Sequence, residues 1–232
     1  MKNVLVIGGT SGYGKGIAEY LTGQGHNVIS AGRTSLPSLD VTKDETVDLF
    51  FKGIKSLDVV VYSAGIAIGK DHVKDKPIAD MRRVFEVNTI GLLNVLRKSY
   101  PFLLKTSGHF LHVGSIAYSL SYVGGADYCA SKAASNSIMK TIRKEWLSTG
   151  IRTTSLEVGL GDTNFQSNRY NGDQEKSGKH TGTVRQIKPI DLGLIVSQII
   201  ELPDYLNMDE ICLKPIDQAS HGITIDNLNK IF

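Results

Sequence analysis

Short runs of consecutive aliphatic residues alternate along this chain with segments in which apolar residues return every three or four positions. Val4-Leu5-Val6-Ile7 opens the pattern and gives way to glycines, after which Ile17, Ala18 and Leu21 fall at helical spacing. Residues 27–30 read as a second strand, a weak third ends near Leu39 and Asp40, and 57–62 form a strongly β-branched fourth. Strand-like runs return at 110–113, 152–158 and 211–213. Helices are expected at 43–54, 78–105, 126–148 and 189–201. Thr42 and Glu45 have capping-box spacing for the first of these, and Gly91 and Pro101 are points of interruption in the second. Strands without polar alternation are buried on both faces, which predicts a parallel sheet between two helix layers. With no internal repeat and no linker, the 232 residues make one doubly wound α/β domain.

Composition narrows the class. The net charge of +3 and the lack of a long Lys/Arg run give no reason to expect a nucleic-acid or anionic-membrane partner. Two cysteines, Cys129 and Cys212, make no disulfide framework and suit a reducing cytoplasm. Cys129 has no His/Asp set to make it a nucleophile and is expected to be a small buried apolar group. No His/Cys spacing points to a metal, and His109 and His112 are expected to be structural or surface residues. The first apolar run is too short for a signal peptide. A soluble cytoplasmic domain is the expectation.

Gly8-Gly9-Thr10-Ser11-Gly12-Tyr13-Gly14 lies where the first strand turns into the first helix. Glycines there allow a tight turn and close approach of a pyrophosphate, which backbone N–H groups and the helix amino terminus then face. A turn serving only helix–strand packing has the same composition, but the position after the first strand favours the nucleotide. The second strand runs into Ser30-Ala31-Gly32-Arg33-Thr34, with no acid at its end to hold an adenosine ribose. Arg33 can instead make charge-assisted hydrogen bonds to a phosphate, with Thr34 or Ser35 assisting, which favours NADP(H) over NAD(H). The plain alternative is a solvated arginine.

Tyr128-Cys129-Ala130-Ser131-Lys132 carries a phenol and an ammonium four residues apart on one helix face, thirteen residues after Ser115. A neighbouring cation favours phenolate, bringing a group that normally titrates at about pH 10 closer to use as an acid or base. A hydroxyl such as Ser115 can hold the oxygen that is protonated. Alone, the Tyr-x-x-x-Lys spacing is common on solvated helices.

Together these residues resemble the short-chain dehydrogenase/reductase family, in particular its compact single-domain reductases, over nearly the whole chain. The family's T-G-x-x-x-G-x-G turn corresponds to Ile7-Gly8-x-x-x-Gly12-x-Gly14, with Ile7 in place of Thr. Its adenine-contacting D-V appears as Asp40-Val41, and its N-N-A-G as Tyr62-Ser63-Ala64-Gly65, without either Asn. Its P-G-x-x-x-T appears as Val158-Gly159-Leu160-Gly161-Asp162-Thr163, with Val158 for Pro and a second glycine that would loosen the turn. The resemblance implies a Rossmann-like fold, a cofactor set of Gly8, Thr10, Ser11, Gly12, Tyr13, Gly14, Arg33, Asp40, Val41, Ser63, Ala64, Gly65, Val158 and Thr163, and a catalytic tetrad of Asn88, Ser115, Tyr128 and Lys132. Asn88, Tyr128 and Lys132 also belong to the cofactor side.

In the implied mechanism Tyr128 protonates a carbonyl oxygen as hydride leaves the nicotinamide, and Ser115 hydrogen-bonds the developing alkoxide. Lys132 binds the nicotinamide ribose, Asn88 holds a relay water, and Thr163 contacts the carboxamide. The substrate is a small carbonyl compound or alcohol, and the family assembles as homodimers or homotetramers. Residues 164–188 stand where the family carries a substrate lid. Arg169, Lys176, Lys179, Arg185 and Lys188 outnumber Asp173 and Glu175 there, as an anionic substrate or a merely solvated loop would explain. The tail at 221–232 has no chemical motif. Two other functions are weighed: a non-catalytic NADP(H)-sensing or protein-interaction module, against which the tetrad argues, and a sugar-nucleotide epimerase or dehydratase, which generally needs a further carboxyl-terminal region.

Overall fold

The aliphatic runs become six parallel strands: β1 (Asn3–Ile7), β2 (Asn27–Ala31), β3 (Val59–Tyr62), β4 (His109–Val113), β5 (Arg152–Val158) and β6 (Glu210–Leu213). They are ordered β2-β1-β3-β4-β5-β6. The structure, a computed structural model, describes residues 1–170, 172–173, 184–220 and 223–226. Helices α1 (Gly12–Gly23), α2 (Asp44–Lys52), α3 (Ile78–Phe85), α4 (Gly91–Thr106), α5 (Ala126–Glu145), α6 (Phe165–Arg169) and α7 (Pro189–Ile200) connect or flank the strands. The two-residue period of each strand sorts its side chains between two cores. Leu5 and Ile7 meet Phe50, Leu92, Leu96 and Trp146 on one face, while Val4 and Val6 meet Ile17, Leu21, Leu192 and Val196 on the other. Full burial of each such aliphatic side chain contributes about 1.5–3 kcal/mol. The predicted doubly wound parallel sheet, covered on both faces, is what forms.

Two local expectations fail for identifiable reasons. Leu39 and Asp40 form no strand. The Leu39 N–H is donated to Gly32 O at 2.9 Å and the Asp40 N–H to Thr46 Oγ1 at 3.2 Å, so this backbone is bonded within its own loop and neighbouring helix. The capping box is also absent: Thr42 gives both its N–H and its hydroxyl to Asp40 Oδ1, and Lys43 becomes the residue before α2. Asp44 and Glu45 in the first turn still suit the helix dipole. The long helix is interrupted just before Gly91, by a π-helical turn over Glu86–Ile90, and Pro101 is accommodated within α4.

Chain order places the crevice. After β1 the chain builds β2 on one side and β3 on the other, so the carboxyl ends of β1 and β3 diverge at the switch point where open α/β sheets take ligands. Of the expected lid at 164–188, residues 171 and 174–183 lie outside the described residues, and with them Glu175, Lys176 and Lys179. So do 221–222 and 227–232 of the tail. Among the described residues no helix is long and apolar enough to cross a membrane, and no group of three His, Cys, Asp or Glu converges as a metal site would require.

Candidate active site

A cleft of about 770 Å³ opens at that switch point. The β1–α1 turn forms its floor. Gly12 adopts φ +51°, a left-handed backbone that a side chain would strain, and a Cβ on Gly14 would stand 2.3 Å from Gly8 O. The turn therefore closes tightly on itself while Thr10, Ser11, Gly12 and Tyr13 line the open side. Gly14 sits beneath the turn as packing and does not line the cleft. Burial pushes the Tyr13 phenol well above its ordinary range, and its hydroxyl stands where a side chain on Gly161 would be.

At the other end, Arg33, Thr34, Asp40 and Val41 line the cleft. Ser35 does not: its hydroxyl accepts the Gly32 N–H at 3.0 Å and lies within reach of Gly32 O and Pro37 O, which ties the loop together. Arg33 is exposed, with no side-chain hydrogen bond or ion pair among the described residues. Burial raises the Asp40 carboxyl, but two hydrogen bonds from Thr42 and the charges of Lys43 and Arg33 outweigh it and hold the group below its usual range.

Ser63, Ala64 and Gly65 leave β3 along the middle of the cleft. Tyr62 occupies the first Asn position of the family pattern and sends its hydroxyl to Val87 O at 2.7 Å, a contact with the π-helical turn. That turn carries Asn88, whose side chain is buried and engaged on both ends. Nδ2 donates to Ile66 O at 2.9 Å and Ser131 Oγ at 3.0 Å, and Oδ1 accepts the Ile66 N–H at 2.8 Å. Asn88 stands behind the cleft wall and fastens the β3 exit to α5. π-Turns inside helices are frequent at functional sites.

Helix α5 brings Tyr128 and Lys132, both buried, to the same wall. Its first turn is pinned by the buried pair of Lys76 and Asp127, 2.7 Å apart. Lys132 Nζ donates to Val113 O at 3.3 Å and lies 5.9 Å from the centroid of the Tyr128 ring. Ser115 follows β4 in an extended conformation; its Oγ accepts the Ala117 N–H at 3.2 Å, leaving its own proton to be donated into the cleft. Thus Ser115, Tyr128 and Lys132 line one cleft with the glycine turn, and Asn88 braces it from behind.

The turn after β5 is firmer than its two glycines suggest. The Gly159 N–H is donated to Leu213 O, that of Leu160 to Gln218 Oε1 and that of Asp162 to Ile187 O. Val158 and Thr163 line the cleft, and Thr163 Oγ1 accepts the Phe165 N–H.

Two residues take places in the structure that the sequence does not give. Glu157, fully buried on β5, accepts the Ser115 N–H at 2.7 Å, the Ser155 hydroxyl at 2.7 Å and an Asn136 N–H at 2.9 Å. It fixes the backbone of Ser115 from beneath. Arg169, expected on a solvated lid, is buried against Tyr122, Tyr128 and Phe165. An acid next to Val158 hints at the first only once β4 is known to lie beside β5; the second is marked in the sequence as a lid cation, but nothing there marks its burial among aromatic rings. Cys129 is buried as expected, and burial pushes its thiol up.

Residues 36–174, more than half of the chain, match the family model described as short chain dehydrogenase. The NADP-dependent 3-hydroxy acid dehydrogenase YdfG of Salmonella typhi is 29% identical over 96% of this chain and 98% of its own length. The serine 3-dehydrogenase of Rhizobium radiobacter is 27% identical over 96% and 97%. Among solved structures, the closed form of serine dehydrogenase complexed with NADP+ superposes with a TM-score of 0.90 at 28% identity, over 96% of this chain and 98% of that one. The switch-point cleft, the six-stranded parallel sheet and the family match agree: the chain belongs to the short-chain dehydrogenases/reductases and is an oxidoreductase of that family.

Proposed function

We propose that this chain interconverts a 3-hydroxy acid and the corresponding 3-oxo acid with NADP(H). The observation that carries it is the convergence of Ser115, Tyr128 and Lys132 on the cleft that also holds the glycine turn and Arg33. The substrate class is supported by the relatives from Salmonella typhi and Rhizobium radiobacter, since serine is itself a 3-hydroxy acid.

The residues suit the cofactor. The turn has no room for side chains at Gly8 and Gly14 and a left-handed backbone at Gly12, and it would hold the pyrophosphate, while Arg33 would take the additional phosphate of NADP(H). Bound there, NADP(H) supplies a hydride for reduction and accepts one in oxidation. Lys132 spends one of its three N–H donors on Val113 O and has two left for ribose hydroxyls. Ser115 donates its proton to the substrate oxygen, holding it beside Tyr128. Tyr128 gives that oxygen a proton in reduction and removes one in oxidation. The Asn88 side chain is committed to Ile66 and Ser131, so a relay water would bind the backbone carbonyl of Asn88.

Turnover of 3-hydroxybutanoate, followed by nicotinamide absorbance, tests both parts of the proposal. A higher kcat/KM with NADP+ than with NAD+ is expected. Tyr128→Phe should lower kcat by about 10²–10⁴-fold while keeping cofactor affinity. Near-normal turnover in that variant sinks the mechanism.

We extend the proposal to assembly as a homodimer or homotetramer. Its support is a groove lined by Leu93, Tyr100, Ile142 and Trp146 between α4 and α5, with Phe85, Ile90 and Leu93 exposed along the same helical run.

A further inference from the structure

Arg169 ends the short helix α6, yet it is only 3% exposed. Its guanidinium carbon lies 5.1 Å from the centroid of the Tyr128 ring, 5.5 Å from that of Phe165 and 5.7 Å from that of Tyr122. Nη2 donates to the Tyr122 hydroxyl at 2.7 Å, and Nη1 reaches Gln166 Oε1 at 3.5 Å. Nε is buried with no hydrogen-bond partner. No carboxylate pairs with Arg169 among the described residues, although the side chain lines the cleft. Aromatic faces attract a guanidinium and hold it in place, but they do not neutralise it. A buried charge without a counterion is costly, and so is a buried donor without an acceptor.

A second cation sharpens the imbalance. Lys70 Nζ lies 4.9 Å from the centroid of the same Tyr122 ring. Burial, and then the charge of Arg169, push its pKa down to about 8. Two cations thus flank one aromatic side chain beside the Tyr128 phenol, and the buried Nε of Arg169 is an unused donor.

We propose that Arg169 is the substrate's carboxylate anchor. Nε shares an edge of the guanidinium with Nη2, a fork that matches the two oxygens of a carboxylate. In a 3-hydroxy acid a single carbon separates the carboxyl carbon from the one that bears the hydroxyl. A substrate whose hydroxyl lies between Ser115 and Tyr128 therefore carries its carboxylate to the vicinity of the Tyr128 ring, where Arg169 stands. Among the described residues that line the cleft, Lys132 is the other cation beside Tyr128, and its Nζ is turned to Val113 O.

Because the assignment rests on the 3-hydroxy acid reading, the test separates the two. Wild type, Arg169→Met and Arg169→Lys are compared on 3-hydroxybutanoate and on its methyl ester, with NADP+ saturating. The acid-to-ester ratio of kcat/KM should fall by about ten- to a hundredfold in Arg169→Met, and by less in Arg169→Lys, which keeps the charge but not the fork. An unmoved ratio, or equal loss on both substrates, overturns the anchor and leaves Arg169 as packing. Thermal shifts of the NADP+-loaded wild type with butanoate and butanamide give a readout independent of turnover and of how the variants fold. Tighter binding of butanoate supports the anchor even if no 3-hydroxy acid is turned over, in which case only the substrate reading fails. Equal binding overturns the anchor.

Discussion

At the scale of single residues, Arg33 is left without a side-chain hydrogen bond among the described residues by what its neighbours do. Ser35 is turned inward to tie the loop, and Asp40 gives Oδ1 to Thr42 and attracts the guanidinium without a hydrogen bond to it. Arg33→Ala should therefore weaken NADPH while barely touching NADH. A charge-assisted contact contributes about 1.5–3 kcal/mol, roughly ten- to a hundredfold in affinity. Fluorescence titration of both cofactors decides it, and equal weakening would reject Arg33 as the selector. Arg33 and the Tyr128/Lys132 pair were legible because their chemistry is tied to a position in a local pattern, a strand end or one helix face. Glu157 was not, and Arg169 was legible only as one of five lid cations, not as a buried one. Their partners lie 42 and 47 residues away in sequence, at Ser115 and Tyr122, and only folding brings them together.

At the scale of elements, β4 and β5 are joined by more than their backbone ladder. His109 Nε2 meets Thr154 Oγ1 at 2.8 Å and His112 Nδ1 meets Ser155 Oγ at 3.1 Å, all within the buried sheet. Burial, with smaller contributions from Arg152 and Lys2, pushes His109 down from 6.5 to about 3. Burial and the charge of Lys132 push His112 well down too. Below pH 6.5 the unfolded imidazoles take up protons that the folded ones refuse, so the unfolded chain binds more protons and stability falls with pH. Each fully neutral histidine should cost about 1.4 kcal/mol per pH unit across that window, down to about pH 3 for His109. Urea midpoints measured from pH 7 to pH 5 check this, and a flat profile would refute it. The elements themselves followed from apolar runs and helical spacing, because burial on both faces leaves little choice. The short segment at Leu39 and Asp40 was misjudged because side chains from 42–46 compete for it, and the π-helical turn at Glu86–Ile90 has no signature in apolar spacing.

At the scale of the whole molecule, the proposed assembly is tested at the groove between α4 and α5, where Leu93, Leu96, Tyr100, Ile142 and Trp146 stand among Asn94, Arg97 and Glu145. Leu93→Asp should weaken self-association by at least about tenfold, since a charge in an apolar contact loses its hydration. Light scattering across a dilution series reads this, and an unchanged mass would remove the groove from the interface. The opposite flank of the sheet has a different significance. With no strand formed at Leu39 and Asp40, five-residue β2 has β1 as its one neighbour among the described residues, and Arg33 follows it in the chain. Strands with one neighbour open locally at little free-energy cost, and an open edge is a template for pairing with another chain. A ligand that grips Arg33 holds this edge shut by mass action, in proportion to the logarithm of its concentration. On the proposed assignment of Arg33, the pool of the phosphorylated nucleotide would govern two things at one place: how fast substrate is turned over, and how long this edge strand stays out of reach of its neighbours.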